Sequence, residues 1–544
     1  MIMMKKLLLL FVLLLVLPHG VTRAQQADNY PPDNTAVTID STNLPIVWIE
    51  VDGAMILRDE RITARMKIIY NGEGQLNYAD TVAHPGQCID YDGYIGLRYR
   101  GNSSFTKSAR KPYSFRTLEV PLEEGGKKQK VPLLGMPKDN NWALLAPYSD
   151  QSMARDLLSR AMARPWMEYT PDGRYCELYL DGIYYGVYIL TEVVSDGKHR
   201  LNLDEPGDSG DDLTGGYLME VDRNESPVLF SSFHPENNAG QPYLNRNIYY
   251  QYGSPDYEDM TEDQLNYIKI ALWKMESALA SEDYQNPETG YAKYIDVMSF
   301  VDFQLAQELG HNVDAYRLST KLFKRRDSED PRFKLALWDM DQAYGGSTKY
   351  ESWSAESWSY RMNDMVYEAN DKYLVPFWWN RLNSDSAYTA LVKQRWGQYR
   401  RSNVSLDNVL AVIDSLANTL TSHGAMERNS TAWPRWGTHL WPNIHVPQDY
   451  GDAIDYLKQW VVERIAWMDE QLGYDPQAPQ CGDVNCDGQV TLADLTRLMD
   501  YLLTEGETPD DVQIPSADCN EDGCVDLGDV TSLIVYLLSG VWPE

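Results

Sequence analysis

Basic residues are in short supply. This chain of 544 residues carries 48 Lys and Arg against 80 Asp and Glu, a formal net charge of −32. So anionic a chain excludes nucleic acid and an anionic membrane as partners, because both demand a basic face. Long apolar runs are missing beyond Leu7–Leu17, which is itself too short to span a bilayer comfortably, so no membrane span is expected. Lys5 and Lys6 precede that run, and Thr22-Arg23-Ala24 places small residues at −3 and −1 of a cleavage site. Residues 1–24 therefore read as a signal peptide and the product as secreted. The chain has no Walker A loop, and no alternation of strands with helices of the kind a parallel barrel needs. Cysteine is sparse. Cys88 and Cys176 pair with each other or stay free, while Cys481, Cys486, Cys519 and Cys524 crowd the last segment, where three pairings are possible.

What is present divides by periodicity. Residues 25–43 are polar, with Pro31-Pro32, and read as a flexible leader. From residue 44 to about 188 the text is strand-rich, with runs at 44–51, 62–70, 95–100 and 175–180. A hairpin at 177–190 turns on Asp181-Gly182. One helix, 151–162, interrupts it. After about residue 260 helical spacing dominates, at 261–279, 294–309, 406–420 and 450–472. Thr261 is placed to cap the first of these. In the last, Ile454, Leu457, Val461, Ile465 and Met468 share a face. Eight tryptophans lie between 353 and 441 and are expected to pack rather than to stack on sugars. Residues 44–475 make one body, 476–480 a linker, and 481–544 a separate small domain.

Two acidic motifs carry most of the chemistry. The first is Gly310-His311-Asn312-Val313-Asp314-Ala315-Tyr316; the second is Leu337-Trp338-Asp339-Met340-Asp341. Between them, β-prone runs at 317–324 and 332–337 flank a polar turn. An antiparallel hairpin starts and ends at one end, so Asp314 and Asp339 are expected to meet. Asp339 and Asp341, two residues apart on extended backbone, are expected to point to one side. Converging carboxylates imply a metal or a proton transfer, and this order is one that phosphoryl-transfer sites use.

In the last segment Asp483-Val484-Asn485-Cys486-Asp487-Gly488 recurs 35 residues on as Asp518-Cys519-Asn520-Glu521-Asp522-Gly523. Each copy runs into a helix containing Tyr-Leu-Leu. Both fit a Ca²⁺ loop with oxygen ligands at positions 1, 3, 5, 7 and 12 and Gly at 6. The ligands are Asp483, Asn485, Asp487, the Gln489 carbonyl and Asp494, then Asp518, Asn520, Asp522, the Cys524 carbonyl and Asp529. With Asp at position 12 and the tandem repeat, residues 481–544 resemble a dockerin. That resemblance implies an all-α fold, Ca²⁺-dependent folding and a cohesin domain of a scaffold protein as partner.

The body resembles the spore coat protein H (CotH) kinase family. The likeness rests on Arg98-Tyr99-Arg100-Gly101-Asn102-Ser103-Ser104, on Arg110-Lys111-Pro112-Tyr113, on runs at 133–137, 142–150, 186–192 and 215–222, and on the two acidic motifs. It implies an α+β, atypical bilobal protein-kinase-like fold, strand-rich then helical, and ATP- and Mg²⁺-dependent phosphorylation of a protein acceptor, although no His-Arg-Asp or Asp-Phe-Gly signature occurs. On that likeness Asp314 accepts the proton of the attacking hydroxyl, and Asp339 holds Mg²⁺ with Asn312 and Asp341. Lys111, Arg100 and the backbone of Gly101, Asn102, Ser103 and Ser104 take the phosphates, helped by Arg155; Glu192 lines the nucleotide pocket. Ser319 stands where ordinary kinases place a metal-binding Asn. Two other classes also fit a dockerin-bearing chain: a non-catalytic pseudokinase module and a polysaccharide-degrading enzyme, whose paired carboxylates would do different work.

Overall fold

A computed structural model describes residues 34–476, 480–485, 487–504, 514–520, 522–540 and 542. The expected signal peptide, most of the expected leader, part of the expected linker and Cys486 lie outside the described residues. The chain divides into two compact units, 34–396 with 403–468, and 397–402 with 469 onward.

In the first unit seven strands close into a barrel: β1 (Ile46–Glu50), β2 (Ile62–Ile69), β3 (Ile89–Tyr99), β4 (Tyr113–Leu118), β7 (Asn141–Leu145), β9 (Ile183–Glu192) and β8 (Gly173–Leu180), in that order around the ring. β1 closes it by pairing in parallel with β8; the other pairs are antiparallel. Alternation explains the register. Ile95 and Leu97 of β3 and Phe115 of β4 point into a core with Val47, Leu144 and Leu190, while Gly96, Arg98, Ser114 and Arg116 face outward. The hairpin on Asp181-Gly182 is present, with both turn residues left-handed (φ 47° and 75°). β5 (Val131–Leu133) and β6 (Met136–Asp139) form a small separate hairpin.

A second sheet has the order β11–β12–β10–β13–β14: β11 (Val228–Phe230), β12 (Tyr249–Ser254), β10 (Tyr217–Val221), β13 (Thr320–Lys324), β14 (Phe333–Ala336). The hairpin between the acidic motifs is β13–β14, with Lys321 opposite Ala336 and Lys324 opposite Phe333. The sequence places this hairpin alone at a junction; it is instead one edge of a sheet whose other strands come from 217–254. Those strands are short, and the stretch 222–248 between β10 and β12 is largely turn, so period-2 alternation has little length in which to declare itself.

The helices follow their sequence signals. Glu262–Ala280 begins with a capping box, Thr261 receiving from Gln264 N while Gln264 reaches back to Thr261 N. Val297–Gly310 is capped by Asp296. Tyr450–Leu472 buries Ile454, Leu457, Val461, Ile465 and Met468 as the spacing requires, and adds Arg464. Arg464 belongs to a buried network: Nη2 donates to Glu308 (3.2 Å), and Glu308 also receives Tyr316 Oη (2.8 Å) and the backbone N–H groups of Ser359 and Tyr360. Trp378, Trp379, Trp396 and Trp433 are buried, but Trp353 and Trp441 are 45% and 40% exposed. Cys88 and Cys176 are unpaired, one exposed and the other in the barrel core.

The described residues of the second unit form helices at Leu492–Leu503, Ile514–Ala517 and Leu527–Ser539, packed on Val484, Leu498, Cys519, Val530 and Leu533. No helix of the described residues is long and apolar enough to cross a membrane.

Candidate functional site

The acidic motifs meet, but by a different route from the one period 2 suggests. The helix Val297–Gly310 stops at His311, which is left-handed (φ 42°) and buried. Its ring is held by the Ser354 carbonyl (2.8 Å) and Ser357 Oγ (3.0 Å), and burial and Arg464 push its pKa well down, so it stays neutral. Beyond β14 the backbone is no longer extended: Asp339 is itself left-handed (φ 65°) and the segment 337–340 has no ladder partner. Asp339 and Asp341 nonetheless line one pocket with Asp314. The other wall comes from the barrel: Arg100, Gly101, Asn102, Ser103 and Ser104, just past β3. Glycine suits position 101, which is left-handed (φ 81°) and where a Cβ would meet the Ser104 hydroxyl.

The three carboxylates are not equivalent. Asp314 Oδ1 accepts from Arg317 Nη2 (3.1 Å), and Arg317 is fixed by the Val313 carbonyl and Asp371. No hydrogen bond reaches Asp314 Oδ2 among the described residues. Asp339 Oδ2 accepts from Ser319 Oγ (2.9 Å); burial and then Asp314 raise its pKa, against the pull of Ser319 and Arg100. Asp341 is pushed well above the usual range by burial, then by Asp339, Asp156, Asp314 and Asp150. Negative charge is therefore crowded beyond what the protein's own cations offset. Among the described residues no three Asp, Glu, His or Cys side chains make a ready metal cage. The donors present are hard oxygens, the kind Mg²⁺ takes, and that ion habitually completes its octahedron with water and phosphate.

Four other residues singled out in the sequence lie off this pocket. Asn312 is buried and spans the two motifs: Nδ2 donates to the Asp339 carbonyl (3.2 Å) and Gln307 Oε1 (3.1 Å), and Oδ1 accepts from Asp314 N (3.3 Å). Lys111 Nζ is spent on the carbonyls of Phe105 (2.6 Å) and Ser108 (2.8 Å). Arg155 is paired with Asp150 and lines a separate small cavity. Glu192 is paired with Arg200 and receives Tyr169 Oη (3.1 Å).

Residues not singled out also line the pocket: Asp150, Asp156, Arg160, Arg223, Trp338 and Gln342 among them. Asp156 pairs with Arg160 one turn on (2.5 Å) and accepts from Met340 N (3.2 Å), tying the helix Arg155–Ala163 to the second motif. Arg100 and Arg160 lie over the Trp338 ring, 5.0 and 5.4 Å from its centroid. Trp338 stood inside a motif already flagged, and Asp156 and Arg160 form a visible i,i+4 pair, but neither pattern says that the side chains reach a pocket.

In the second unit the two loops repeat the same hydrogen bonds at their first, fifth and sixth positions. Asp483 accepts from Asp487 N and Gly488 N, both at 3.0 Å; Asp518 accepts from Asp522 N (3.1 Å) and Gly523 N (2.9 Å). Gly488 and Gly523 have φ of 84° and 85°, the sharp turn such a loop needs at its sixth position. Asp494 and Asp529 are fully buried and also complete capping boxes with Thr491 and Asp526. Cys481 Sγ lies 3.8 Å from the Cys519 carbonyl, and both thiols are free.

A search of curated proteins finds no match. Residues 481–538 match the Dockerin type I domain. Residues 97–468, more than half of the chain and the whole span of the acidic pocket, match the family described as CotH kinase protein. The chain therefore belongs to the CotH kinase family and carries a C-terminal type I dockerin domain.

Proposed function

We propose that the first unit is an ATP- and Mg²⁺-dependent protein kinase, exported and carried on a scaffold through its dockerin. The observation that carries the enzymatic part is the pocket that sets Asp314, Asp339 and Asp341 against Arg100 and the Gly101–Ser104 turn. Phosphoryl transfer asks for little beyond positioning and charge neutralisation. Asp339 and Asp341 are the groups that would hold Mg²⁺, which supplies neutralisation of the phosphate oxygens when bound. Arg100 and the backbone of the Gly101–Ser104 turn orient the phosphates. Asp314, with Oδ1 held by Arg317, keeps Oδ2 to accept the proton of a serine or threonine hydroxyl. Asn312 acts through the backbone, locking the two motifs together.

The dockerin part rests on the two loops and on apolar residues repeated 35 positions apart: Leu492 and Leu527, Met499 and Ile534, Leu503 and Leu538, all exposed. Exposed apolar residues matched on two helices suit a protein partner, and a dockerin domain implies that its class is a cohesin. Ca²⁺ is the ion the loops fit.

Calorimetric titration of Mg·ATP into the purified protein tests the first part. Saturable binding is expected, abolished in Asp339→Asn. Radiolabelled ATP with candidate exported proteins then gives transfer that Asp314→Asn loses. Binding indifferent to Asp339→Asn would instead assign a non-catalytic module.

A further inference from the structure

The pocket shares Arg100, Trp338 and Asp339 with a larger cleft of about 770 Å³ between the barrel and the second sheet. The two walls differ in charge. The sheet side is acidic: Glu220, Asp222, Glu225 and Asp256 line it, and its cations are paired, Lys321 with Glu220 and Arg223 with Asp222. On the barrel side the pairing of Ile62 with Leu97 sets Arg61 beside Arg98, and Gly96 opposite Arg116 puts the third arginine on the same outward face. Arg58, in the loop before β2, completes the group.

These four cations have no carboxylate in contact among the described residues. Arg61 lies flat on Gly96, its Cδ 3.3 Å from where a Cβ would stand. Its guanidinium donates to the Gly96 carbonyl (3.0 Å), the Ser114 carbonyl (2.9 Å) and Ser114 Oγ (3.0 Å). Arg98 donates to the Asp59 carbonyl (3.4 Å), and Arg58 lies over the Phe105 ring. Crowding is costly: burial, then Arg98, Arg116 and Arg100, draw the Arg61 pKa down to about 9. In a chain of net charge −32, a row of unneutralised arginines fixed on adjacent strands stands ready for an anion that arrives from outside.

The spacing narrows the choice. Three adjacent strands span about 10 Å, and side chains at i and i+2 of an extended peptide lie about 7 Å apart on one face. Resting on the kinase reading, we propose that this cleft docks an acidic segment of the phosphoacceptor, with its Asp and Glu carboxylates on Arg58, Arg61, Arg98 and Arg116 and its hydroxyl residue beside Asp314. Arginine forks suit carboxylates, and the low-dielectric walls strengthen the attraction.

Fluorescence anisotropy on the full chain tests it without ATP. The probes are two labelled peptides of alternating sequence, Glu with Ser and Lys with Ser. The acidic probe should bind, weaken with salt, and lose about tenfold or more in affinity in the Arg98→Glu/Arg116→Glu double variant. Mg·ATP affinity by calorimetry should hold in that variant, and Arg98→Gln/Arg116→Gln, checked for native circular dichroism, should fall between. Equal binding of both probes overturns the proposal. So does loss of Mg·ATP affinity in the double variant with acidic-peptide binding intact, which assigns the arginines to the nucleotide. Acidic-peptide binding that survives in a protein unable to bind or turn over ATP supports the docking cleft and defeats the kinase reading alone.

Discussion

Replacing Asn312 by Ala separates a strut from a ligand. If this amide ties the acidic motifs together, truncation should destabilise the protein whether or not Mg²⁺ is present. The side chain is buried and makes three hydrogen bonds to nitrogen and oxygen, with the Asp339 carbonyl, the Gln307 amide and Asp314 N, besides a weaker one to Met340 Sδ. Each is worth about 1 kcal/mol net, and leaving the buried Gln307 oxygen and the Asp339 carbonyl unpaired adds to that, for about 2–4 kcal/mol in all. With about 2 cal/mol/K of unfolding entropy per residue, a unit of several hundred residues melts about 1 °C lower per kcal/mol, so Tm should fall by about 2–4 °C. Scanning calorimetry of the full chain, with Mg²⁺ and with chelator, reads this directly. Asn312→Asp keeps the acceptor, loses both donors and adds charge near Asp339, and should fare no better. An unchanged metal-free Tm together with weakened Mg²⁺ affinity would refute the strut and return Asn312 to the metal.

The raised pKa values of Asp339 and Asp341 fix a sign. A carboxyl that holds its proton more tightly when folded lends stability below its unfolded pKa, about 4, and that stability is lost as pH rises through the folded value. Urea midpoints should therefore drop between acid and neutral pH more steeply in the parent than in Asp341→Asn, which should be the more stable at neutral pH by about 1 kcal/mol; parallel curves would count against it. Glu308→Ala strands Arg464 in the core and should cost about 3–5 kcal/mol in urea unfolding. Calcium should protect residues 481–544 of the full chain from limited proteolysis and chelator should expose them, with Asp494→Ala and Asp529→Ala susceptible even in calcium.

Local pattern made much of this chain legible. Runs rich in β-formers gave β2 and most of β8, the Asp-Gly turn gave the barrel hairpin, and 3.6-residue spacing gave Tyr450–Leu472 to the residue. The two dockerin loops were readable because the pattern of each lies within twelve residues. The meeting of Asp314 with Asp339 was readable because a hairpin links them. Closure of the barrel was not, since the β1–β8 pairing joins residues more than a hundred apart and leaves no local mark. Nor was the fate of Lys111 or Glu192. Charge in a motif shows that a cation or carboxylate is needed, but its partner, a carbonyl cage or Arg200, is chosen by tertiary packing.

His311, Tyr316, Ser319, Asp339 and Tyr344 all hold left-handed backbone without being glycine. Each such residue costs of order 1 kcal/mol or more and persists only because its surroundings over-determine it. The pocket floor is thus not a detachable cassette. Residues 310–344 cut out or grafted onto a foreign sheet would relax into ordinary torsions and splay the carboxylates apart. Mutational scanning meets the same fact in another form: asparagine tolerates the left-handed region at position 339, whereas alanine there would confound a lost charge with a rebent chain.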